Sequence, residues 1–242
     1  MLRLTFATGL AALLAGCPDR SVEHRVFHPK PTPGLIVCFG DSITSGGVGP
    51  NGYVTLLQKR LPGRNVVGAG ISGNTVNELL DRIDRDVIAR NPETVVVEVG
   101  VNDARFIRPD EFQRGLCRVV DKLRATNARV ILCTLALCGE KTDRANVCIP
   151  CGSIFSNKAI DERMDQFADI ARKIASDKHV TLCDLRKACL DYLKGHNAQN
   201  AASGILTTDA IHLSDAGNRL VAEEILKAID SPGAAPEPRN RE

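Results

Sequence analysis

The chain has 242 residues, of which 43% are hydrophobic and 25% charged, with 31 Lys and Arg against 29 Asp and Glu. This composition is typical of a folded globular protein and excludes the disordered, collagenous and low-complexity classes. The formal net charge of +2 shows no basic excess for nucleic acid, so we predict no nucleic-acid partner. The nine cysteines are an odd number, which would leave one thiol unpaired in an oxidising compartment.

The first residues are typical of an export signal. Arg3 precedes an apolar run over residues 10–16, which is shorter than the roughly 20 residues that a membrane-spanning helix needs. The run leads into the letters LAGC at residues 14–17, which resemble the lipobox of bacterial lipoproteins, and this resemblance implies that Cys17 is lipidated. We therefore expect a lipid-anchored protein of the bacterial cell envelope that meets the membrane only through this lipid. An ordinary secretory signal, and hence a secreted or periplasmic protein, is the alternative.

Five apolar runs alternate with amphipathic segments along the rest of the chain. The runs are continuous, as in a parallel sheet that is covered on both faces, and they span residues 35–39, 65–69, 94–99, 129–135 and 180–182. Helical periodicity is clear around residues 76–87, 112–123, 160–174 and 221–229. This alternation predicts an α/β fold, a three-layer α/β/α sandwich with a five-stranded parallel sheet.

We expect one folded domain over residues 35–230, preceded by a signal peptide over 1–16. Residues 17–34 are polar and contain four prolines, which indicates a tether between anchor and domain. Residues 231–242 have the composition of a disordered tail. Because ligands of parallel α/β sheets bind at the C-terminal ends of the strands, the residues that follow each strand are the first candidates for a site.

Three residues form a candidate acyl-transfer set. Ser42 follows the first strand in a glycine-bearing strand-to-helix turn, where its hydroxyl would be exposed as a nucleophile. Asp209 and His212 stand three residues apart before the last predicted helix. His212 would be the general base and later the acid for the leaving alcohol, while Asp209 would hold the imidazole tautomer. For Ser42 taken alone, a helix N-cap role is the alternative.

Developing charge on a substrate oxygen needs preorganised hydrogen-bond donors. The backbone N–H groups of Ser42 and Gly73 and the side-chain amide of Asn102 supply three, each just after one of the first three strands. A glycine suits position 73 because no side chain blocks the approach of the backbone. Asp41 and Asp103 lie beside these residues, and we expect them to bind the loop backbone rather than act as acids or metal ligands.

Together these blocks resemble the SGNH (GDSL) hydrolase family. That family carries a GDS block with the nucleophile, a glycine, a GxND asparagine and a DxxH block, and all four occur here in that order over residues 36–229. The resemblance implies a flavodoxin-like three-layer fold and a metal-free serine esterase mechanism without a cofactor. It also implies the roles described above for the residues of both sets. These residues are Ser42, Asp209 and His212 of the acyl-transfer set, and Ser42, Gly73 and Asn102 as oxyanion donors.

A second motif overlaps the glycine block. Gly68, Gly70 and Gly73 match the dinucleotide fingerprint, which requires an acidic residue about 20 positions further on, at the end of the next strand. The nearby acidic residues fall in a predicted helix, and Glu98 stands 30 residues after Gly68. We therefore predict no cofactor-binding residues and no metal-binding residues.

Cys138, Cys148 and Cys151 fall in the segment after the fourth strand, on the side expected to hold the site. Disulfide pairing within this loop is the first interpretation, because exported proteins pass into oxidising compartments. Free thiols, a zinc site and a redox pair are the alternatives. If Cys17 carries a lipid, eight cysteines remain, which removes the odd count.

The predicted function is hydrolysis of short-acyl esters, acetyl esters foremost, through an acyl-serine intermediate. Aromatic residues make up only 4% of the chain and tryptophan is absent, which argues against a broad polysaccharide-binding surface. The expected partner is a small-molecule or oligosaccharide ester. A lysophospholipase or thioesterase is the alternative among enzymes, and a non-hydrolytic acyl-transfer or binding module with the same pocket is the alternative from another class.

Overall fold

The computed structural model describes residues 30–143 and 157–232. The predicted signal peptide, most of the predicted tether and tail, and the residues Cys17, Cys148 and Cys151 lie outside these ranges. In the described ranges, no helix has both the length and the apolar character to cross a membrane.

A five-stranded sheet forms the centre of the described chain, and every neighbouring pair of its strands is parallel. The strand order is β2-β1-β3-β4-β5. The strands are β1 Thr32–Gly40, β2 Asn65–Gly70, β3 Pro92–Glu98, β4 Arg129–Cys133 and β5 Thr181–Cys183. The predicted fold class, with its five-stranded parallel sheet, is therefore confirmed.

Helices cover both faces of the sheet. Those in the described ranges are α1 Ser42–Gly46, α2 Tyr53–Arg60, α3 Val76–Asp86, α4 Val101–Phe106, α5 Pro109–Arg124, α6 Asn157–Asp177, α7 Leu185–His196 and α8 Asp215–Asp230. The sequence periodicity predicts α3, α5, α6 and α8. It misses α1 and α4, which are too short to show a period, and also α2 and α7.

Alternate residues of each strand enter two separate cores, as the twofold period of a strand requires. Val95 and Val97 of β3 point into the core that contains α3, α5 and α6. Val96 points the other way, into the core that contains α2 and α8. Burial on both faces is the reason why the strands read as continuous apolar runs in the sequence.

The strand boundaries differ from the prediction by at most three residues, and the first residues of β2 and β4 match it. β1 begins at Thr32, inside the predicted tether, because the backbone N–H of Thr32 donates to Asn91 O at 2.7 Å. The next turn is held in the same way, since Gly34 N–H donates to the carboxylate of Glu93 at 2.8 Å. β1 therefore extends three residues further toward the N-terminus than the predicted strand.

The strand order defines where a ligand would bind. From β1 the chain moves outward to β2 on one side and then returns to β3 on the other side, so the topology reverses between β1 and β3. The crevice outside the carboxyl ends of two such strands is the usual ligand site of open α/β sheets. Ser42 follows β1 and Asn102 follows β3, so both stand at this crevice.

Candidate active site

Ser42 is the first residue of α1, and its hydroxyl has no hydrogen-bond partner within the described chain. The helix is capped by the preceding residue, since Oδ1 of Asp41 accepts the backbone N–H of Ile43 at 2.9 Å. The alternative interpretation of Ser42 as the N-cap is therefore wrong. Asp41 does the capping, and the serine hydroxyl stays available for chemistry.

The turn that carries Asp209 and His212 is preorganised by its own hydrogen bonds. Oδ2 of Asp209 lies 2.7 Å from Nδ1 of His212, and Oδ1 accepts the backbone N–H groups of Ile211 at 3.0 Å and His212 at 2.7 Å. Burial raises the pKa of Asp209, but the hydrogen bonds from the His212 ring and from these two N–H groups outweigh it, so this pKa lies below its usual value. The carboxylate beside Nδ1 favours the tautomer with its proton there, which leaves Nε2 as the acceptor.

Two hydrogen bonds join the segment after α1 to the first turn of α8, just beyond His212. The side chain of Asn51 donates to Asp215 at 3.0 Å, and the backbone N–H of Tyr53 donates to the side chain of Asn218 at 2.9 Å. His212 is close enough to Asp41, the neighbour of Ser42, for its charge to lower the pKa of that carboxyl.

No hydrogen bond joins Ser42 Oγ to the His212 ring. Both side chains lie in the described ranges; Ser42 is partly exposed and His212 is half exposed. The structure therefore brings the three residues to one edge of the sheet without closing the last contact.

The loops after the first three strands meet at the amide of Asn102. This buried side chain donates to the backbone carbonyl of Asn74 at 3.0 Å and makes a longer contact of 3.4 Å with Oδ2 of Asp41. Gly73 lies one residue before Asn74 with φ +82°, a left-handed conformation that favours glycine, and no atom lies within 4 Å of the place where a Cβ would be. The space beside Gly73 is therefore open, and the amide of Asn102 contacts both the residue after Gly73 and the residue before Ser42.

Arg82 is a site residue that sequence reasoning missed. Its buried guanidinium donates to the backbone carbonyls of Gly40 at 2.7 Å and Ala69 at 2.8 Å and to the side chain of Asn74 at 2.7 Å. It thereby ties the end of β1, the end of β2 and the glycine loop together. The signal in the sequence is a charged residue on the otherwise apolar face of α3, beside Leu79 and Ile83.

Three buried carboxyl groups, those of Asp41, Glu98 and Asp103, lie close enough together for their charges to interact. Burial raises the pKa of Asp41 to about 6, against opposing effects of the Ile43 N–H and of the charges on His212 and Arg82. Burial also raises the pKa of Asp103 to about 7, although Oδ1 of Asp103 accepts the backbone N–H of Val76 at 2.8 Å. The expected backbone contacts of Asp41 and Asp103 are both present.

Glu98, the last residue of β3, is the third of these carboxyls. It is fully buried, and neither of its oxygens has a hydrogen-bond partner among the described residues. Burial and the nearby Asp41 and Asp103 raise its pKa well above the usual value, which favours its neutral form. In the described parts of the chain, no group of His, Cys, Asp and Glu side chains has a geometry that could hold a metal ion.

The glycine spacing of β2 has a packing cause. A Cβ at Gly70 would lie 2.2 Å from the backbone nitrogen of Ser45, and one at Gly68 would lie 2.4 Å from the side chain of Val48. These glycines allow α1 and the segment after it to lie directly on β2. Close helix–strand packing therefore accounts for the resemblance to a dinucleotide fingerprint.

Of the cysteines predicted to form a disulfide loop, only Cys138 lies in the described ranges, where it is buried in the segment after β4. The pairing of Cys148 and Cys151 falls outside the described residues and stays a prediction. Cys38 and Cys189 are buried and reduced, and burial raises the pKa of each thiol to about 12. Such thiols are unreactive and belong to the core.

Comparisons with known proteins agree with this geometry. A model of the GDSL-like Lipase/Acylhydrolase family matches residues 38–220. The acetylxylan esterase of Geobacillus stearothermophilus is 30% identical over 213 residues, which cover 80% of this chain and 93% of that protein. The crystal structure of an acetyl xylan esterase, AlAXEase, superposes with a TM-score of 0.72 at 38% identity and covers 81% of this chain and 99% of its own. The lipoprotein YqeF of Bacillus subtilis is 23% identical over 89% of this chain and 93% of its own length.

Proposed function

The chain belongs to the GDSL-like Lipase/Acylhydrolase family and is a carboxylic ester hydrolase, and we propose that it deacetylates small or oligomeric alcohols through an acyl-serine intermediate. The observation that carries the proposal is the 2.7 Å hydrogen bond between Asp209 and Nδ1 of His212, on a turn at the sheet edge where the unpartnered hydroxyl of Ser42 lies. It supports a base whose Nε2 is free to take a proton from that hydroxyl.

The proposed reaction has two halves. Nε2 of His212 takes the hydroxyl proton while Oγ of Ser42 attacks the ester carbonyl carbon, which gives a tetrahedral oxyanion. The oxyanion collapses, the bond to the alcohol oxygen breaks, and the imidazolium returns the proton to the leaving alcohol. Water, activated by the same imidazole, then attacks the acyl-serine and releases the carboxylic acid together with free Ser42.

The oxyanion would be held by the N–H groups of Ser42 and Gly73 and by the amide of Asn102. One amide hydrogen of Asn102 donates to Asn74 at 3.0 Å, whereas the contact with Asp41 is longer, at 3.4 Å. Because the longer contact is the weaker one, this second hydrogen is the one that we expect to turn to the oxyanion. Burial supports the arrangement, since hydrogen bonds to charge are strongest where water is excluded.

The acetyl specificity rests on the similarity to acetylxylan esterases. Two large exposed apolar side chains lie close to the candidate residues along the chain: Ile71, two residues before Gly73, and Phe106, one helical turn after Asn102. We expect these side chains to contact the acyl methyl group or a sugar ring of the substrate.

A panel of esters tests this function. We expect aryl acetates and acetylated xylo-oligosaccharides to be hydrolysed faster than butyrate and longer esters, and Ser42→Ala to abolish turnover while its circular dichroism spectrum stays unchanged. A covalent acetyl adduct on the Ser42 peptide, trapped at low pH and seen by mass spectrometry, would support the intermediate. Retained activity of Ser42→Ala would refute it.

The envelope location is a separate part of the proposal. It is supported by the LAGC letters before and at Cys17 and by the similarity to the lipoprotein YqeF. We expect the mature protein in a bacterial host to partition into detergent and to carry a lipid-modified Cys17 as its first residue. Cys17→Ser should move it to the aqueous phase, and detergent partitioning that survives this change would exclude the lipid anchor.

A further inference from the structure

We propose that Glu140 is a positioning residue for the turn that carries Asp209 and His212, and that its hydrogen bonds fix the place of the proposed base. The inference rests on the proposed function, because it concerns the placement of the proposed base. Glu140 lies in the segment that follows β4 and is 1% exposed. The sequence-based prediction for this segment concerns its cysteines and does not include Glu140.

Four donors converge on the Glu140 carboxylate. Oε2 accepts the backbone N–H of Ile205 at 2.9 Å, and Oε1 accepts the backbone N–H of Leu206 at 2.8 Å. Oε1 also accepts both the backbone N–H and the hydroxyl of Thr207, the latter at 2.6 Å. Three successive N–H groups around one carboxylate form an anion-binding nest, which is a stronger arrangement than hydrogen bonds between neutral groups.

The nest forms the base of the loop that carries the catalytic turn. Thr207 pairs with Leu213 in an isolated antiparallel bridge, and Ser214 N–H donates to Leu206 O at 2.8 Å. Inside that base, Thr208 N–H donates to the carbonyl of His212 at 2.8 Å. Glu140 therefore holds Leu206 and Thr207, the residues on one side of the two pairs that close the loop presenting the imidazole.

The residue before Glu140 holds the tip of the same loop. Gly139 N–H donates to Ala210 O at 2.6 Å, and Ala210 lies between Asp209 and His212 with φ +72°. A positive φ is unfavourable for alanine and persists only where surrounding contacts impose it. The base and the tip of the loop are thus both fixed from the segment after β4.

Glu140 is itself held by the rest of the domain. Its backbone carbonyl accepts the side-chain amide of Asn197 at 2.7 Å, and its N–H donates to Ala202 O at 3.1 Å. Removal of the carboxylate would leave buried N–H groups without a partner, and the loop would relax to satisfy them elsewhere. A displacement of about 1 Å at a catalytic group can lower the rate about 100-fold.

Two variants test the inference against one control. Glu140→Gln keeps the volume but puts an amide donor against one of the four donors, and Thr207→Val removes only the hydroxyl contact. Arg129→Met is the matched control. The guanidinium of Arg129 also donates several part-buried hydrogen bonds, to the backbone carbonyls of Ala228, Ile229 and Ser231, but at the far end of β4. All three are assayed on an aryl acetate, well below the midpoint of their thermal unfolding.

We expect kcat to fall about 10- to 100-fold in Glu140→Gln and less in Thr207→Val, with KM nearly unchanged in both. We also expect the acid limb of the kcat/KM profile to move to lower pH, because a displaced Asp209 stabilises the imidazolium less well. Arg129→Met should lose stability but keep kcat and the pH profile. If Glu140→Gln fails to fold, the same two readouts on Thr207→Val decide the matter.

The inference is overturned if the folded variants keep the wild-type kcat and acid limb, or if Arg129→Met changes both in the same way. Failure of the proposed function looks different. If Ser42→Ala keeps its activity, the mechanism is wrong whatever Glu140 does. If Ser42→Ala is inactive and Glu140→Gln behaves as wild type, only the positioning role is lost.

Discussion

Asp209 binds His212 at two points, through the ring nitrogen Nδ1 at 2.7 Å and through the backbone N–H at 2.7 Å, with a different carboxylate oxygen at each. The three-residue spacing of the two makes this possible, because the chain reverses at Ala210 with a positive φ. The carboxylate thus fixes both the position of the residue and the tautomer of its ring.

Asp209→Asn should therefore be inactive and well folded. The amide keeps the shape and an acceptor for the backbone N–H groups, but it cannot favour the proton on Nδ1, so Nε2 is no longer a base. We expect kcat to fall about 10³- to 10⁴-fold, a size known for this change in serine proteases. Steady-state kinetics with matched circular dichroism spectra measure it. A loss below 10-fold would show that Asp209 does not orient the base.

Asn102→Ala should lower kcat about 10²- to 10³-fold with little change in KM, because an oxyanion donor acts mainly in the transition state. Asn77→Ala is the matched control: its amide also donates to a protein oxygen, that of Glu111 at 2.7 Å, but on the exposed side of α3. The ratio of kcat between the two variants measures the effect. Equal kcat values in both would exclude Asn102 from the oxyanion hole.

Arg82→Met should destabilise the fold and lower activity together. Three carbonyl and amide oxygens around the site would lose their donor, and Asp86 would lose a buried partner at 3.1 Å. Breaking such a buried pair reduces the free energy of unfolding by about 3–5 kcal/mol. Urea denaturation and kcat at low temperature are the measurements.

The control for Arg82 is three residues away. Arg85→Met removes the other arginine that binds Asp86, at 2.6 Å, but Arg85 is 74% exposed. Exposed ion pairs contribute little to folding, so we expect near wild-type stability and activity in this variant. Similar losses of stability and activity in both variants would mean that they arise from the unpaired charge of Asp86. They would then not arise from the hydrogen bonds of Arg82 to the site loops.

Asp103 should make the fold less stable as the pH rises. Burial raises its pKa from 3.8 to about 7 in the folded chain, so the folded state holds the proton more tightly than the unfolded state does. The stability from this group is complete below about pH 4 and is lost as the pH rises through about 7. Asp103→Asn, which imitates the neutral acid, should escape this loss.

Urea denaturation of wild type and Asp103→Asn between pH 4 and pH 8 measures the effect. The free energy of unfolding of Asp103→Asn, relative to that of the wild type, should increase as the pH rises. The full pKa shift of Asp103 corresponds to a total change of about 4 kcal/mol. Asp41 and Glu98 are present in both proteins, so the difference between the two curves measures Asp103 together with its charge interaction with them. A difference that stays constant with pH would disprove the assignment.

Much of the architecture was predictable from local pattern. The five strands appear as apolar runs because both of their faces are buried, and α3, α5, α6 and α8 appear through their periodicity. α7 was missed although Leu185, Cys189 and Leu193, all buried, recur every four residues. α1 and α4 have five and six residues, which is less than two helical turns and too short for any periodic signal.

The candidate site residues and their order along the chain were readable without the fold: a serine after the first strand, a glycine after the second, an asparagine after the third, and an aspartate and histidine before the last helix. They were readable because polar residues and glycines that directly follow apolar strands, or precede a helix, stand out in their local context. The sequence also predicted the parallel sheet that gathers them at one edge.

What holds these groups in place became apparent from long-range contacts alone. Arg82 reaches Gly40 across 42 positions, and Glu140 reaches Thr207 across 67. The structural effect of a buried charge depends on the backbone groups that surround it, and long-range packing brings those groups together. No pattern near residue 82 or 140 states which carbonyl or N–H groups will surround the side chain, so their roles became visible only in the fold.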